Sequence, residues 1–249
     1  MDAQAQLEPA AAPKVSTVET LSVVIPAYNE GPTIERILDK VVAVKLAMNL
    51  EIIVVDDGSK DDTSAVVAAW AARQTDPRLK VKVIRKENGG KGTAVRRGID
   101  ESTGEYVIIQ DADLEYDPND YPALLAPMVA GETDVVYGSR ILGPDKPGSL
   151  KFYLGGRFVT WATNLLYWSN ISDEPTCYKL FRGDLIRGLP LTCKGFEFCP
   201  EVTAKLLKAG HKIVDVPIRY YPRSIAEGKK IRSKDGLIAL WELLKWRFW

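Results

Sequence analysis

The sequence predicts an α/β fold in which helices cover both faces of a mainly parallel sheet. Short apolar runs that are typical of strands alternate with stretches of helical periodicity over the first 140 residues or so. The strand-like runs are apolar throughout, as in parallel strands that are buried on both faces. Polar segments follow these runs directly, and such segments at the carboxyl ends of parallel strands are where α/β sheets bind ligands.

Each predicted element follows from its local pattern. The expected strands are the apolar runs 21–25, 51–55, 81–84, 106–109 and 134–137. The expected helices between them are 33–48, a helix capped by Asp61 or Asp62 and running to about Arg73, a helix from Gly92 through Ile99, and 122–129. The second half is expected to add an aromatic-rich helix at 152–168, a helix at 197–209, a strand at 212–221 and a closing helix at 236–249.

Composition excludes several classes of protein. The 33 basic and 33 acidic residues cancel, so no bulk charge draws the chain to nucleic acid, and we expect no nucleic-acid partner. Three cysteines without CxxC spacing and a single histidine argue against a zinc cage and fit the reduced thiols of a cytoplasmic protein. No run of 18 apolar residues occurs, so we expect no membrane-spanning helix. Residues 1–18 are rich in Ala, Gln and Pro, which predicts a disordered tail and not a signal peptide.

The stretch around which the chain is organised is Gln110–Glu115, which follows the apolar run 106–109. In extended backbone, residues two apart point the same way and lie roughly 6.6 Å apart. Asp111 and Asp113 can therefore direct two carboxylates at one point beyond the strand end. Because Mg²⁺ usually takes one or two carboxylates together with phosphate oxygens, the pair predicts a metal held between the protein and a diphosphate.

Five short motifs occur in a fixed order along the chain. They are 24–30 (VIPAYNE), 54–59 (VVDDGS), 88–92 (NGGKG), 111–115 (DADLE) and 138–140 (GSR). Their order and spacing resemble family 2 glycosyltransferases of the GT-A fold, in particular the polyprenyl-phosphate (dolichyl-phosphate mannose synthase-like) group. The resemblance spans about residues 20–235 and implies a Rossmann-like, mainly parallel sheet flanked by helices, with C-terminal amphipathic or interfacial helices.

The resemblance implies a nucleotide-sugar donor and a divalent metal, Mg²⁺ or Mn²⁺. The residues that it assigns to the base and ribose are Pro26, Ala27, Tyr28 and Glu30, with Val55 and Asp57 at the base edge. It assigns Asp111 and Asp113, with Ala112 between them, to the donor diphosphate and its metal, and Glu115 to the third metal position. Several family members have Gln there, so Glu115 is a departure. Lys91 is expected to contact a donor phosphate, although the glycines before it equally predict a plain turn.

The resemblance also implies a phosphate acceptor. The basic residues that it places around the acceptor phosphate and the leaving diphosphate are Arg140, Arg157, Arg223 and Lys229 or Lys230. Guanidinium forks match phosphate oxygens, which gives these arginines a physical role. Asp173 and Thr176 are expected either to order the acceptor loop or to cap a turn.

The nature of the acceptor decides whether a general base is needed. A phosphate monoester is mostly dianionic at neutral pH and needs none, whereas a hydroxyl does. No histidine lies in the strand-end cluster, and the Gln-x-x-Arg-Trp motif of processive polysaccharide synthases is absent. Both absences favour inverting attack by a lipid phosphate, with Asp113, Arg140 and Arg223 as the catalytic residues. Asp113, Glu197 and Glu201 remain candidate bases, so a hydroxyl acceptor stays open.

A lipid acceptor requires contact with a membrane. The two aromatic helices carry Trp, Phe and Leu with nearby Lys and Arg, which suits either interfacial helices or plain core or dimer packing. We therefore expect a tail at 1–18, a glycosyltransferase domain at 19–222 and a basic acceptor-side segment with an amphipathic helix at 223–249. The expected location is the cytoplasmic face of a membrane, peripherally bound, with a homodimer or a membrane partner protein as further options.

Two alternative functions stay open on the sequence alone. One is a soluble family 2 glycosyltransferase with a saccharide hydroxyl acceptor. The other is a catalytically silent nucleotide-sugar-binding module, against which the retention of Asp111, Asp113, Arg140 and Arg223 argues.

Overall fold

The fold was analysed in a computed structural model, which describes residues 18–145, 149–223 and 233–249. The predicted tail at 1–18, apart from Val18, lies outside the described residues. The same holds for the acceptor-binding candidates Lys229 and Lys230.

Among the described residues, seven strands form one sheet. They are β1 (Thr20–Ala27), β2 (Asn49–Asp56), β3 (Leu79–Arg85), β4 (Tyr106–Ile109), β5 (Val135–Ser139), β6 (Lys179–Arg182) and β7 (Ile213–Pro217). The strand order is β3-β2-β1-β4-β6-β5-β7. Only β6 runs antiparallel to its neighbours β4 and β5, so the prediction of a mainly parallel sheet is confirmed.

Helices flank this sheet. They are α1 (Gly31–Ala43), α2 (Thr63–Ala72), α3 (Lys91–Glu101), α4 (Tyr121–Val129), α5 (Leu150–Tyr167), α6 (Gly183–Gly188), α7 (Phe198–Lys208) and α8 (Ser233–Phe248). Within the described ranges, no helix combines the length and the apolarity that crossing a bilayer requires.

Two predicted elements end earlier than expected, and two observed elements were not predicted. The first helix ends at Ala43 and not at Met48, because Val44 is extended (ψ 124°) and the chain turns back toward β2. The strand predicted at 212–221 ends at Pro217, where its partner β5 also ends. Strand β6 and helix α6 were not predicted, since β6 has four residues and begins and ends with a charged side chain.

The order of the strands creates a switch point between β1 and β4. The chain moves outward from β1 to β3 and then returns to pair β4 with the other side of β1. Right-handed crossovers put α1 and α2 on one face and α3 on the other, which opens a crevice at the carboxyl ends of β1 and β4. The segments that follow these two strands are 28–30 and 110–115, which contain half of the predicted donor-binding residues: Tyr28, Glu30, Asp111, Ala112 and Asp113.

A buried carboxylate holds the opposite, amino-terminal end of the sheet together. Glu51 on β2 is 1% exposed and accepts hydrogen bonds from Ser22 Oγ (2.6 Å), Thr103 N (2.8 Å) and Thr103 Oγ1 (3.0 Å). Lys82 Nζ lies 3.0 Å from the carboxylate. Burial acts to raise the pKa of Glu51, but these donors outweigh it and hold the pKa below its ordinary value.

Replacing this carboxylate should destabilise the fold. We expect Glu51→Gln to lower the free energy of unfolding by about 1–3 kcal/mol, because an amide cannot accept all of these hydrogen bonds. Since the folded-state pKa is lowered, the stabilisation is present above the ordinary carboxyl pKa and is lost as the pH falls through the folded value. Urea unfolding at pH 7 and at pH 4 measures both effects. Glu35→Gln, at an exposed ion pair with Arg73, is the matched control and should change stability by less than about 0.5 kcal/mol.

Candidate active site

A cavity of about 1170 Å³ opens at the carboxyl ends of β1 and β4 and extends to helices α5 and α8. Most of the predicted site residues line it: Pro26, Ala27, Tyr28, Glu30, Asp57, Lys91, Asp111, Ala112, Asp113, Glu115, Arg140, Arg157, Asp173 and Arg223. Val55 and Thr176 are not among the lining residues. Val55 is buried within β2, and Thr176 is fully buried below the cavity wall. The cavity therefore brings the predicted donor and acceptor residues into one space.

Asp111 is paired with a lysine from the start of α3. Lys91 Nζ lies 2.5 Å from Asp111 Oδ1. Burial acts to raise the pKa of Asp111, but the positive charge of Lys91 outweighs it and keeps the carboxyl ionised. Gly90, with φ at 95°, allows the turn that begins α3, so the glycines serve as a turn and Lys91 also reaches the strand-end carboxylates.

Asp113 is paired with an arginine from the segment after β7. Arg223 Nη2 lies 2.6 Å from Asp113 Oδ2, and its Nη1 lies 3.7 Å from Glu30 Oε2. Burial and the negative charges of Asp111 and Glu115 nevertheless raise the pKa of Asp113 to about 7. The carboxylates of Asp111, Asp113 and Glu115 thus lie close together at this point of the cavity.

Glu115 anchors the segment after β7. Its carboxylate accepts from Arg223 N (2.6 Å) and from Tyr220 Oη (3.2 Å), and its carbonyl accepts from Tyr221 N (2.8 Å). These contacts position Arg223 over Asp113. In the described part of the chain, no three His, Cys, Asp or Glu side chains form a metal-binding cluster, so the predicted third-ligand role of Glu115 stays a prediction.

The donor set of the pair Asp111 and Asp113 fits a hard divalent cation. Both carboxylates line an open cavity with room for phosphate oxygens and water, which Mg²⁺ and Mn²⁺ take as further ligands. Such an ion would relieve the repulsion that the like charges of Asp111 and Glu115 exert on Asp113.

Arg140 is held in one orientation by Asp173. Its Nε and Nη2 each lie 2.8 Å from the two oxygens of the carboxylate, and its backbone N–H donates to the same group at 2.9 Å. The guanidinium also lies 5.1 Å from the centre of the Tyr220 ring. Burial acts to raise the pKa of Asp173, but Arg140 outweighs it and holds the pKa below its ordinary value. Asp173 is therefore an orienting partner of Arg140, while Arg157 donates to Ser172 O at 3.2 Å on the same side of the cavity.

Asp57 is engaged by the loop before α3. Its carboxylate accepts from Gly89 N (3.0 Å), Gly90 N (2.7 Å) and Lys86 Nζ (2.5 Å). This arrangement fixes the loop that carries Lys91. The role of Lys86 was not anticipated, since a lysine directly after a strand gives no signal in the sequence.

Two of the three candidate general bases lie away from the cavity. Glu201 is fully buried and accepts from Thr192 N (2.8 Å) and Cys193 N (2.6 Å). Glu197 accepts from Lys194 N (2.6 Å) and Gly195 N (2.8 Å). Neither is among the described lining residues, which leaves Asp113 as the candidate that lines the cavity.

Helices α5 and α8 form the far wall of the cavity and pack on each other around Val159 and Leu243. Tyr167 Oη donates to Leu243 O at 2.7 Å. Each helix also exposes large apolar side chains at intervals of three or four residues. These are Leu150, Leu154, Phe158, Trp161 and Leu165 on α5 with Trp168 directly after it, and Leu237, Trp241, Leu244 and Phe248 on α8. Since one face of each helix packs inward and another is apolar but exposed, core packing does not account for both faces.

Sequence comparison places most of the chain in a known family. Residues 22–189 match the family model of glycosyl transferase family 2. A dolichol-phosphate mannosyltransferase of Pyrococcus furiosus is 30% identical over 236 residues, which cover 91% of this chain and 64% of that protein. An undecaprenyl-phosphate 4-deoxy-4-formamido-L-arabinose transferase of Edwardsiella ictaluri is 27% identical over 230 residues, which cover 92% of this chain and 66% of that protein. The chain thus spans just under two thirds of the length of these two relatives.

Structural comparison gives the same fold. The crystal structure of glucosyl-3-phosphoglycerate synthase from Mycobacterium tuberculosis with Mn²⁺, UDP-glucose and phosphoglyceric acid superimposes with a TM-score of 0.69 at 22% identity. The match covers 92% of this chain and 80% of the synthase. This likeness confirms the predicted GT-A fold.

Proposed function

The chain belongs to glycosyl transferase family 2, and from this premise we propose that it transfers a hexose from a nucleotide sugar to a polyprenyl phosphate. GDP-mannose and UDP-glucose are the candidate donors, and a dolichyl or undecaprenyl phosphate is the candidate acceptor. Transfer inverts the anomeric carbon, because the acceptor phosphate attacks it directly while the nucleoside diphosphate leaves. The names of the two polyprenyl-phosphate relatives support this choice of acceptor.

The donor half of the proposal rests on the crevice between β1 and β4. Pro26, Ala27, Tyr28 and Glu30 border its β1 side, where base and ribose would bind. Lys91 lies beside Asp111, in reach of a diphosphate at the strand-end carboxylates. The mycobacterial structure with UDP-glucose and Mn²⁺ supports a nucleotide sugar in a fold of this kind.

Asp111 and Asp113 would hold Mg²⁺ or Mn²⁺, with Glu115 as the third ligand that the family resemblance implies. When bound, the ion neutralises the charge that develops on the leaving diphosphate. Lys91 and Arg223, which pair with these carboxylates, supply further positive charge at the same place. Lys91 and Arg223 would therefore lie where negative charge develops on the leaving group.

The observation that carries the acceptor assignment is the shape of the cavity. One space connects the strand-end carboxylates to Arg140, Arg157 and Arg223, and continues to the walls formed by α5 and α8. A phosphate fits the arginines, and an isoprenoid tail fits the apolar helices beyond them. Since a phosphate nucleophile needs no proton removed, the engagement of Glu197 and Glu201 elsewhere is consistent with this acceptor.

A hydroxyl acceptor is the second candidate, and one observation favours it. Of the three candidate bases Asp113, Glu197 and Glu201, Asp113 is the one that lines the described cavity, and it lies close to the proposed metal site. In that case the acceptor would be a saccharide, and the arginines would serve the donor diphosphate alone.

The proposal is tested by transfer of labelled sugar to an extractable lipid. Purified protein is incubated with a short-chain polyprenyl phosphate, Mg²⁺ or Mn²⁺, and either GDP-mannose or UDP-glucose. We expect label in the organic phase with one of the donors and none after chelation of the metal. Donor hydrolysis without any lipid label would contradict the proposed acceptor.

We further propose that the apolar stripes of α5 and α8 contact the membrane surface that holds the acceptor. Amphipathic helices rich in Trp and Leu bind the interface of a bilayer. The double variant Trp161→Ser/Trp241→Ser should reduce co-sedimentation with anionic vesicles at least about tenfold. Val129→Ser, which alters an exposed apolar residue on α4, is the matched control and should bind as the wild type does.

Normal vesicle binding by the double variant would contradict the proposed membrane contact. If the double variant binds vesicles normally but sediments as a smaller particle, the stripes are a dimer interface or the docking site of a partner protein. The membrane assignment would then be wrong.

A further inference from the structure

We propose that Phe196 is the platform against which the hexose of the donor packs, and that it thereby contributes to the choice of sugar. This inference rests on the proposed function, since it names a new contact for the same donor. Sequence motifs did not single out Phe196, and the family resemblance assigned it no role.

Phe196 lies in the cavity wall next to the charged centre. Its ring is 37% exposed, and the ring centre lies 5.7 Å from Lys91 Nζ. Lys91 Nζ in turn lies 2.5 Å from Asp111 Oδ1. In the part of the chain that the structure describes, no other aromatic ring stacks on Phe196, so the exposed part of its ring is best covered by the apolar side of a ligand.

Backbone contacts position the chain segment that carries Phe196. Thr93 N donates to Lys194 O at 3.2 Å, which docks this segment on the first turn of α3. The approach is so close that a Cβ atom on Gly90 would lie 2.5 Å from Lys194 O, and one on Gly92 would lie 2.8 Å from Lys194 C. Glycines at these two positions thus permit the docking that sets Phe196 beside Lys91.

A second contact fixes the turn that precedes Phe196. The Glu197 carboxylate accepts from Lys194 N and Gly195 N, which closes the turn just before the ring. A loop whose backbone is already ordered loses little further conformational entropy when a ligand packs on it. The segment therefore presents a preorganised aromatic surface to the cavity.

The chemistry of a hexose matches this surface. A pyranose ring has a face of C–H groups and a rim of hydroxyls. The C–H face can pack on the Phe196 ring, while the rim meets polar groups such as Lys91. The sugar is attached to the diphosphate, and the Lys91 ammonium links the two places, since it lies 2.5 Å from Asp111 Oδ1 and 5.7 Å from the centre of the Phe196 ring. Mannose and glucose differ at C2, where the hydroxyl of mannose is axial and that of glucose is equatorial, so the two hexoses should pack on the ring to different extents.

The test separates the sugar from the rest of the donor. Affinities are measured by calorimetry in Mn²⁺ for GDP and GDP-mannose, and for UDP and UDP-glucose. We expect Phe196→Ala to weaken binding of the nucleotide sugar about three- to tenfold and to leave the nucleoside diphosphate unchanged. Phe196→Tyr keeps the ring and should bind as the wild type does. Val129→Ala, at an exposed apolar residue on α4, is the control for loss of an apolar side chain.

The binding data distinguish failure of the Phe196 contact from failure of the proposed function. If Phe196→Ala binds the nucleotide sugar like the wild type, or weakens both ligands equally, the platform is wrong while the proposed donor stands. If the wild type binds none of the four nucleotides, the proposed function itself fails.

Discussion

Asp113→Asn should reduce sugar transfer by at least about a thousandfold. The residue lies at the centre of the charge cluster, with Asp111 and Glu115 on one side and Arg223 Nη2 at 2.6 Å on the other. An amide brings no negative charge to Mg²⁺ or Mn²⁺ and is therefore a much weaker ligand, and it removes the anionic partner that lies 2.6 Å from Arg223. Loss of charge stabilisation at a leaving group typically costs two to three orders of magnitude in rate for a single group, and two functions are lost here. The measurement is the initial rate of transfer at saturating metal and donor.

The stability of this variant distinguishes catalysis from folding. Burial and like charges raise the pKa of Asp113 to about 7, so its ionised form is unfavourable in the unliganded protein. We therefore expect Asp113→Asn to unfold in urea at a midpoint no lower than that of the wild type. Asp184→Asn, at an exposed carboxylate on α6, is the control and should be fully active. A rate for Asp113→Asn within threefold of the wild type would contradict the assigned role.

Asp173→Asn should lower transfer by about a hundredfold, although in our account Asp173 touches neither substrate. Its carboxylate holds both arms of Arg140 at 2.8 Å, so the guanidinium points into the cavity in a single orientation. The amide would face one guanidinium N–H with its own NH₂ group, and the fork would turn away from the acceptor phosphate. Removing one partner of a buried ion pair is also destabilising, by up to about 3–5 kcal/mol. Activity is therefore measured well below the unfolding temperature of the variant.

Arg140→Lys completes this test. Lysine keeps the positive charge but cannot form a two-armed contact with Asp173 or with a phosphate. If orientation of the guanidinium is what matters, Arg140→Lys should be nearly as impaired as Asp173→Asn, mainly through the KM for the acceptor. A lysine variant with normal acceptor KM would show that only charge is needed, and the orienting role of Asp173 would then be wrong.

The sequence predicted the parts of this site that depend on local pattern. The apolar run 106–109 became β4 with the same bounds, because polar residues limit it on both sides. Asp111 and Asp113 then follow at the sheet edge, where both line the cavity as expected. Local periodicity and strand ends are encoded within a few residues, so a single sequence is enough to predict them.

Contacts between distant segments were not predictable in the same way. Glu115 was expected to serve the metal, yet its carboxylate binds the backbone of Arg223, which is 108 residues away. Strand β6 was missed because Lys179 looks like a surface residue, whereas it is fully buried with its amine 3.6 Å from the centre of the Tyr137 ring. Such pairings depend on the order of the strands in the sheet, and the local sequence pattern contains no signal for them.

The most direct test of the central claim compares two acceptors that differ in one group. Polyprenyl monophosphate and the polyprenol of the same length are offered with the donor and Mn²⁺, and transfer to each is measured. We predict label on the monophosphate alone, because Arg140, Arg157 and Arg223 would bind the phosphate that also acts as the nucleophile. Label on the polyprenol or on a saccharide, with none on the monophosphate, would contradict the account and assign Asp113 as the general base of a hydroxyl acceptor.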